Sequence, residues 1–129
     1  MIEHRAFFGD GEKLFAFPTR ELIEELERKT GHGVGALFRR FKSQDFAFMD
    51  VLQVLRLGLI GGGTTPREAD MLVALYGIGR PLAESFAVAD GVITALFFGN
   101  EEVQGETGQA AATGDLAASI NDALKQVAE

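Results

Sequence analysis

The sequence predicts an α+β domain, in which an N-terminal β-hairpin packs on a bundle of four to five helices, followed by a flexible C-terminal extension. Two short aromatic-rich runs flank a Gly-Asp-Gly turn near the N-terminus. Stretches with apolar residues at helical spacing then follow, separated by Gly or Pro, up to residue 99. Residues 100–114 show no such periodicity. Because strands and helices bury side chains at different spacings, these patterns favour one hairpin followed by helices.

The hairpin is expected over residues 3–8 and 12–17, with its tight turn at 9–11. Two strands alone are barely stable in water, so one face of the hairpin must pack on helices. The side chains expected to make this contact are Phe7, Leu14 and either Phe15 or Phe17.

Capping residues bound the predicted helices. Thr19 is a good N-cap for a first helix that runs to about Thr30, and Gly31 is suited to end it. Pro81 fits the first position of the last helix, since proline lacks the N–H that is unpaired there anyway. The later helices are expected at about 34–41, 46–57, 66–76 and 81–98.

Residues 58–65, GLIGGGTT, raise the question of a phosphate-binding loop. Such a loop needs a Lys after its glycines and a strand before them, and neither is present. We interpret the stretch as a joint between the third and fourth helices. The first or second glycine supplies the positive φ that ends one helix, the next two allow a sharp turn, and a capping box starts the other helix. The residues of this joint are Gly58, Gly61, Gly62, Gly63, Thr65, Pro66 and Glu68.

Composition indicates one globular domain with an acidic tail. The chain has 129 residues, of which 47% are hydrophobic, and a net charge of −7. Residues 1–99 are predicted to form the domain, and residues 100–129 an acidic Gly/Ala-rich linker that ends in an amphipathic helix. Because Cys is absent, disulfides and thiolate metal sites are excluded. No signal peptide or membrane-spanning run is seen, so a cytoplasmic protein is expected.

No catalytic constellation is apparent, and we expect neither an enzyme nor a cofactor or metal. His4 and His32 lack metal-ligand spacing. The serines lack a nucleophile-elbow motif, and no pair of acids lies in an apolar setting. Arg39, Arg40 and Lys42 surround an aromatic residue, which keeps a nucleic-acid-binding adaptor as the alternative function. Nucleic-acid binding is disfavoured by the acidic balance of the chain.

Surplus phenylalanines are the better candidates for function. One helix cannot bury both Phe97 and Phe98 on a single stripe, so one of them is expected to meet the hairpin, a partner or a second copy. The helix predicted after Asp115 has an apolar stripe that either docks on the domain or waits for a partner groove. The predicted partner-binding residues are Phe46, Phe48, Phe97, Phe98, Leu116, Ile120 and Leu124.

The order of several segments resembles a small protein family of gene transfer agents and siphophage-like tails. The segments are AFFGDGEKLFAF, then LERKTGHGVG at Leu26–Gly35, LGLIGGG at Leu57–Gly63, and Arg80-Pro81-Leu82 with a closing aromatic-Gly pair. The resemblance covers about residues 3–99. This family is regarded as a tail assembly chaperone, although it is sometimes labelled a tail tube protein.

The resemblance implies a non-enzymatic role in tail morphogenesis of a phage, a prophage or a gene transfer agent. Its members are thought to coat the tape measure protein, to help recruit tail tube subunits, and to be absent from the finished particle. The expected partners are therefore the tape measure protein and the tail tube protein, with self-association also possible.

Overall fold

An antiparallel β-hairpin followed by five α-helices makes up residues 2–99, the part of the chain that the computed structural model describes. The predicted α+β class is confirmed. The linker and terminal helix predicted for residues 100–129 lie outside the described residues. The elements are β1 (Glu3–Phe8), β2 (Gly11–Ala16), α1 (Arg20–Thr30), α2 (Val34–Ser43), α3 (Phe48–Gly61), α4 (Pro66–Tyr76) and α5 (Leu82–Phe98).

Helix α3 is the central element of the core. It packs against β2, α1 and α4. Eight of its fourteen residues are buried, and they lie on more than one face of the helix. A helix that is apolar almost all round belongs inside a domain. The other elements therefore assemble around α3.

The hairpin pairs residues 3–8 with residues 11–16, which places Phe8 opposite Gly11. Phe8, Phe15 and Phe17 are buried, whereas Phe7 is 65% exposed. The expectation that Phe7 packs on the helices is therefore wrong. Successive side chains in a strand point to opposite faces, so only one of the two adjacent phenylalanines can face the core. The ring of Phe8 takes that place, edge-on to the rings of Phe15 and Tyr76.

The glycines at the end of α3 let the helix backbone touch the backbone of β2. A Cβ atom on Gly61 would lie 1.8 Å from the Ala16 carbonyl oxygen, and one on Gly62 would lie 2.0 Å from that of Leu14. Both distances are far below any tolerable contact. The additional glycines of this stretch are thus explained by close approach between helix and strand.

The positive φ that ends α3 belongs to Gly63, at +112°. The prediction that Gly58 or Gly61 supplies it is wrong, because the helix continues through both. Gly63 and Thr64 donate hydrogen bonds to the carbonyls of Ile60 and Leu59, at 3.0 and 2.9 Å. This pattern is a Schellman motif, in which a left-handed residue pairs the last carbonyls of a helix.

Several other predicted boundaries agree closely with the structure. The Thr19 side chain accepts a hydrogen bond from the Leu22 N–H, and Gly31 ends α1 at a φ of +78°. Thr65 caps α4 in the same way, accepting from the Glu68 N–H at 3.2 Å, with Pro66 at the first turn. The predicted capping box is incomplete, because within residues 2–99 no hydrogen bond runs from the Thr65 N–H to the Glu68 carboxylate.

Besides the end of α3, which lies at Gly61 rather than residue 57, three other helix boundaries differ from the prediction. Helix α2 continues to Ser43 rather than Phe41, because Gln44 adopts the left-handed conformation that ends it. Helix α5 begins at Leu82, one residue after Pro81. Helix α3 begins at Phe48 rather than Phe46, since the buried Asp50 carboxylate accepts a hydrogen bond from the Ala47 N–H at 2.9 Å. A carboxylate at that position also complements the positive end of the helix dipole.

Replacement of Gly61 by Ala is expected to lower the free energy of unfolding by about 2–3 kcal/mol, because the added methyl group collides with the Ala16 backbone. Gly35 provides the matched control, since it also lies in a helix but its Cβ would meet only the end of the Arg39 side chain. Gly35→Ala should raise the free energy of unfolding by about 0.5–1 kcal/mol. Equal effects of the two variants in urea unfolding would contradict the close backbone contact.

Replacement of Asp50 by Ala is expected to lower the free energy of unfolding by about 1 kcal/mol, because the Ala47 N–H loses its partner at the start of α3. Asp45 is the control, being 81% exposed and 4.0 Å from Arg40. Asp45→Ala should change stability by less than about 0.5 kcal/mol. Thermal unfolding of both variants measures the difference, and a neutral Asp50→Ala would refute this role.

Candidate protein-binding surfaces

Phe46 lies in an aromatic cluster rather than on an open surface. Its ring stacks on Phe86 of α5, with centroids 4.6 Å apart and planes 6° apart. It is also 5.5 Å from the buried ring of Phe41 on α2. Phe46 is half buried. The segment between α2 and α3 is thereby fixed to α5, and the outer edge of the Phe46 ring is the part available to a partner.

The other predicted aromatic residues occupy two separate regions. Phe97 is 41% exposed and stacks on Phe38 of α2, with ring centroids 4.6 Å apart. Phe48, in the first turn of α3, is 39% exposed. Phe98 is half buried at the end of α5. Leu116, Ile120 and Leu124 lie outside the described residues.

A second apolar stripe runs along the solvent side of α4, and the sequence analysis did not identify it. Ala69, Leu72 and Val73 face the core. Met71 and Leu75 lie on the opposite side and are 51% and 60% exposed, with the small exposed Ala74 between them. Met71 and Leu75 are four residues apart, so they lie on one face of α4. A helical projection of residues 66–76 would have revealed this stripe.

The stripe continues past the end of α4. Ile78 and Leu82, which flank the connection to α5, are both more than half exposed. The Leu52 side chain of α3 lies beside Gly77, and Met49 is exposed one turn earlier on α3. The first turn of α3 therefore lies at the same end of the domain as the α4–α5 connection. We call this set the outer apolar surface; its members are Met49, Met71, Leu75, Ile78 and Leu82.

Exposure of this extent requires explanation. Isolated exposed apolar residues are normal, but contiguous apolar patches on a domain mark binding sites or aggregation hazards. Methionine, with its flexible and polarizable side chain, adapts to partners of varied shape. The ion pair of Arg56 with Asp70, at 2.8 Å, borders the patch on the α3 side. The outer apolar surface thus has the composition of a contact site with a polar rim.

The basic residues predicted as the alternative site do not converge on one surface. The Lys42 ammonium lies 3.2 Å from Asp90, 2.9 Å from the Thr94 hydroxyl and 5.4 Å from the centroid of the Phe38 ring. Lys42 therefore joins α2 to α5. Arg40 lies 4.0 Å from Asp45, and Arg39 is exposed. With two of the three cations placed beside carboxylates, little positive potential remains for a phosphate backbone.

Two carboxyl groups among the described residues have a lowered pKa. Hydrogen bonding and charge from Lys13 lower the pKa of Asp10, and a hydrogen bond from Arg28 lowers the pKa of Glu25. Both are exposed ion pairs, whereas a catalytic acid usually needs a raised pKa. Residues 2–99 contain no group of His, Asp and Glu side chains able to hold a metal ion. None of the described helices is long and apolar enough to cross a membrane.

Comparison with known families gives one match. The family model described as phage tail tube protein, GTA-gp10, matches residues 1–99, which span the hairpin and all five described helices. No curated protein and no solved structure matches the sequence. The family match confirms the resemblance seen in the hairpin, the glycine-rich joint and the Arg80-Pro81-Leu82 segment. The chain therefore belongs to this phage and gene transfer agent tail family.

Proposed function

We propose that the chain is a non-enzymatic tail assembly chaperone that binds the tape measure protein and the tail tube protein while a phage-type tail is built. The outer apolar surface is the observation that carries this proposal. It supplies an exposed apolar face on helix α4 and on the connection that follows it. In this role the protein acts in the cytoplasm and leaves before the particle is complete.

The shape of the surface favours a helical, apolar partner. The exposed stripe formed by Met71 and Leu75 on α4 accommodates the apolar stripe of another helix lying alongside. A long helical partner would offer many such stripes in succession, so several copies of the domain could coat it.

The strand content supports the chaperone over the tube subunit named in the family description. The described residues contain two strands of six residues each in a single two-stranded sheet. Closing a tube wall from such subunits requires several strands per subunit, with continuous pairing between neighbours. A domain built around the apolar helix α3 supplies too few strands for that architecture.

The double variant Met71→Ser, Leu75→Ser is expected to weaken tape measure binding by at least roughly tenfold, because each buried apolar side chain contributes about 1.5–3 kcal/mol. An affinity pull-down from a particle-producing lysate, followed by mass spectrometry, measures the recovery. Arg20→Ser, which changes an exposed residue of α1 away from α4, is the control and should retain binding. Unchanged recovery with the double variant would remove α4 from the binding site.

Phe48→Ser is expected to weaken partner binding without unfolding the domain, since Phe48 adjoins Met49 of the outer apolar surface. Phe97→Ser tests the second predicted region and additionally removes the stack on Phe38. Circular dichroism checks folding. Unfolding by both substitutions would assign these rings to the core instead.

Two outcomes would overturn the proposed function. One is the presence of the protein as a stoichiometric component of purified particles. The other is recovery of nucleic acid without tail proteins, which would support the adaptor alternative at Arg39, Arg40 and Lys42. In that case, loss of nucleic acid from the triple Ala variant would locate the site.

A further inference from the structure

Strand β1 lies at an edge of the two-stranded sheet, and its outward backbone groups are arranged for pairing. The sheet contains only β1 and β2 among the described residues. The other edge, on β2, is covered by α3, whose glycines lie against the carbonyls of Leu14 and Ala16. Of the described elements, only β2 makes extensive contact with β1.

The hairpin register identifies which backbone groups of β1 point outward. In an antiparallel pair, opposed residues alternate between those that exchange hydrogen bonds and those whose N–H and C=O groups point away. The carbonyls of Leu14 and Ala16 point away, towards α3. Residues 12, 14 and 16 of β2 share this outward orientation because it alternates along the strand. Leu14 is opposite Arg5, and Glu12 is opposite Phe7. The backbone groups of Arg5 and Phe7 therefore point to the open side of β1.

This edge lacks two of the usual devices that prevent strand pairing, proline and a bulge; charged side chains and a covering element are the others. The charged residues of β1, Glu3 and Arg5, are of opposite sign, so they do not by themselves repel a second copy of the strand. The sequence of β1, EHRAFF, contains no proline, and its pairing with β2 is continuous from Glu3 to Phe8 without a bulge. The side chains of Arg5 and Phe7 are exposed, at 62% for Arg5.

We propose that β1 is a self-association edge, through which two copies of the chain join their hairpins into one antiparallel four-stranded sheet. In the proposed register, Arg5 lies opposite Phe7 of the second copy and Phe7 lies opposite Arg5 of the second copy. Each of these pairs exchanges two backbone hydrogen bonds, which gives four in total. Ala6 then faces Ala6 of the second copy across the two-fold axis.

Charge and strand length together select this register over its two neighbours. A shift of two residues in one direction would place Arg5 directly opposite Arg5 of the second copy, and like charges in that position are destabilising. A shift in the other direction would place Phe7 opposite Phe7 and Arg5 opposite the turn residue Gly9, which leaves only the Phe7 pair to exchange hydrogen bonds within the strands. The proposed register instead places each guanidinium against an aromatic ring, a favourable cation–π arrangement. The small Ala6 side chains at the centre allow the strands to approach closely. The edge is thus complementary to itself under two-fold symmetry.

The test is sedimentation velocity of the full chain over a wide concentration range, with Phe7→Pro as the main variant. Proline removes the outward N–H of Phe7, which the hairpin does not use, so the fold should be retained. The wild-type chain is expected to dimerise with rising concentration, and the variant to do so at least roughly tenfold more weakly, since it loses backbone hydrogen bonds. Phe7→Ser, which keeps the N–H, is expected to weaken the dimer less.

Amide hydrogen exchange provides a second measurement that does not depend on the folding of a variant. Protection of the Arg5 and Phe7 amides is expected to rise with protein concentration, while that of exposed amides elsewhere stays constant. A chain that is monomeric at all concentrations would overturn the proposal, as would a dimer unaffected by Phe7→Pro. If β1 pairs only with a strand of another protein, the purified chain will stay monomeric at all concentrations, which also overturns the proposal.

This proposal stands independently of the chaperone function. The double variant Met71→Ser, Leu75→Ser changes the outer apolar surface on α4 and leaves the β1 backbone intact. It should therefore dimerise as the wild type does. Loss of the dimer in that variant would place self-association on α4 and overturn the β1 assignment.

Discussion

The backbone contact between the end of α3 and strand β2 is the constraint on which the rest of the domain depends. A two-stranded hairpin has little stability of its own, so its position must be set by the helices. Gly61 and Gly62 bring the helix backbone against β2 at distances that no side chain would permit. The same approach buries Phe15 and Phe17 beside Gly58. Hairpin and bundle therefore form one core.

This arrangement has consequences at both edges of the sheet. Because α3 covers the outward carbonyls of β2, that edge is closed, and none of the other described helices makes extensive contact with the edge of β1. The same central helix uses its remaining faces to pack α1 and α4. Helix α4 consequently buries one stripe in the core and presents the other to solvent. The two candidate binding regions, the edge of β1 and the exposed side of α4, thus both follow from the central position of α3.

Local signals in the sequence were sufficient for the order and type of the elements. Thr19, Gly31, Thr65 and Pro66 bound helices where capping rules place them. The predictions were wrong where tertiary contacts determine where a helix ends or which side chain faces the core. Gly58 and Gly61 look like helix ends in sequence, yet packing against β2 keeps them helical. Likewise, the choice between Phe7 and Phe8 depends on strand parity, which a one-residue shift of register reverses.

The candidate site was harder to predict, because exposure depends on what the rest of the fold covers. Phe46 and Phe48 are separated by one residue, but Phe46 stacks on Phe86 whereas Phe48 stays accessible. The core stripe of α4, which contains Ala69, Leu72 and Val73, follows from helical spacing, but the exposure of Met71 and Leu75 on the other side depends on what the folded domain leaves uncovered. An exposed apolar stripe on a helix that already buries another stripe is more than a small core requires, and this makes it a candidate contact surface.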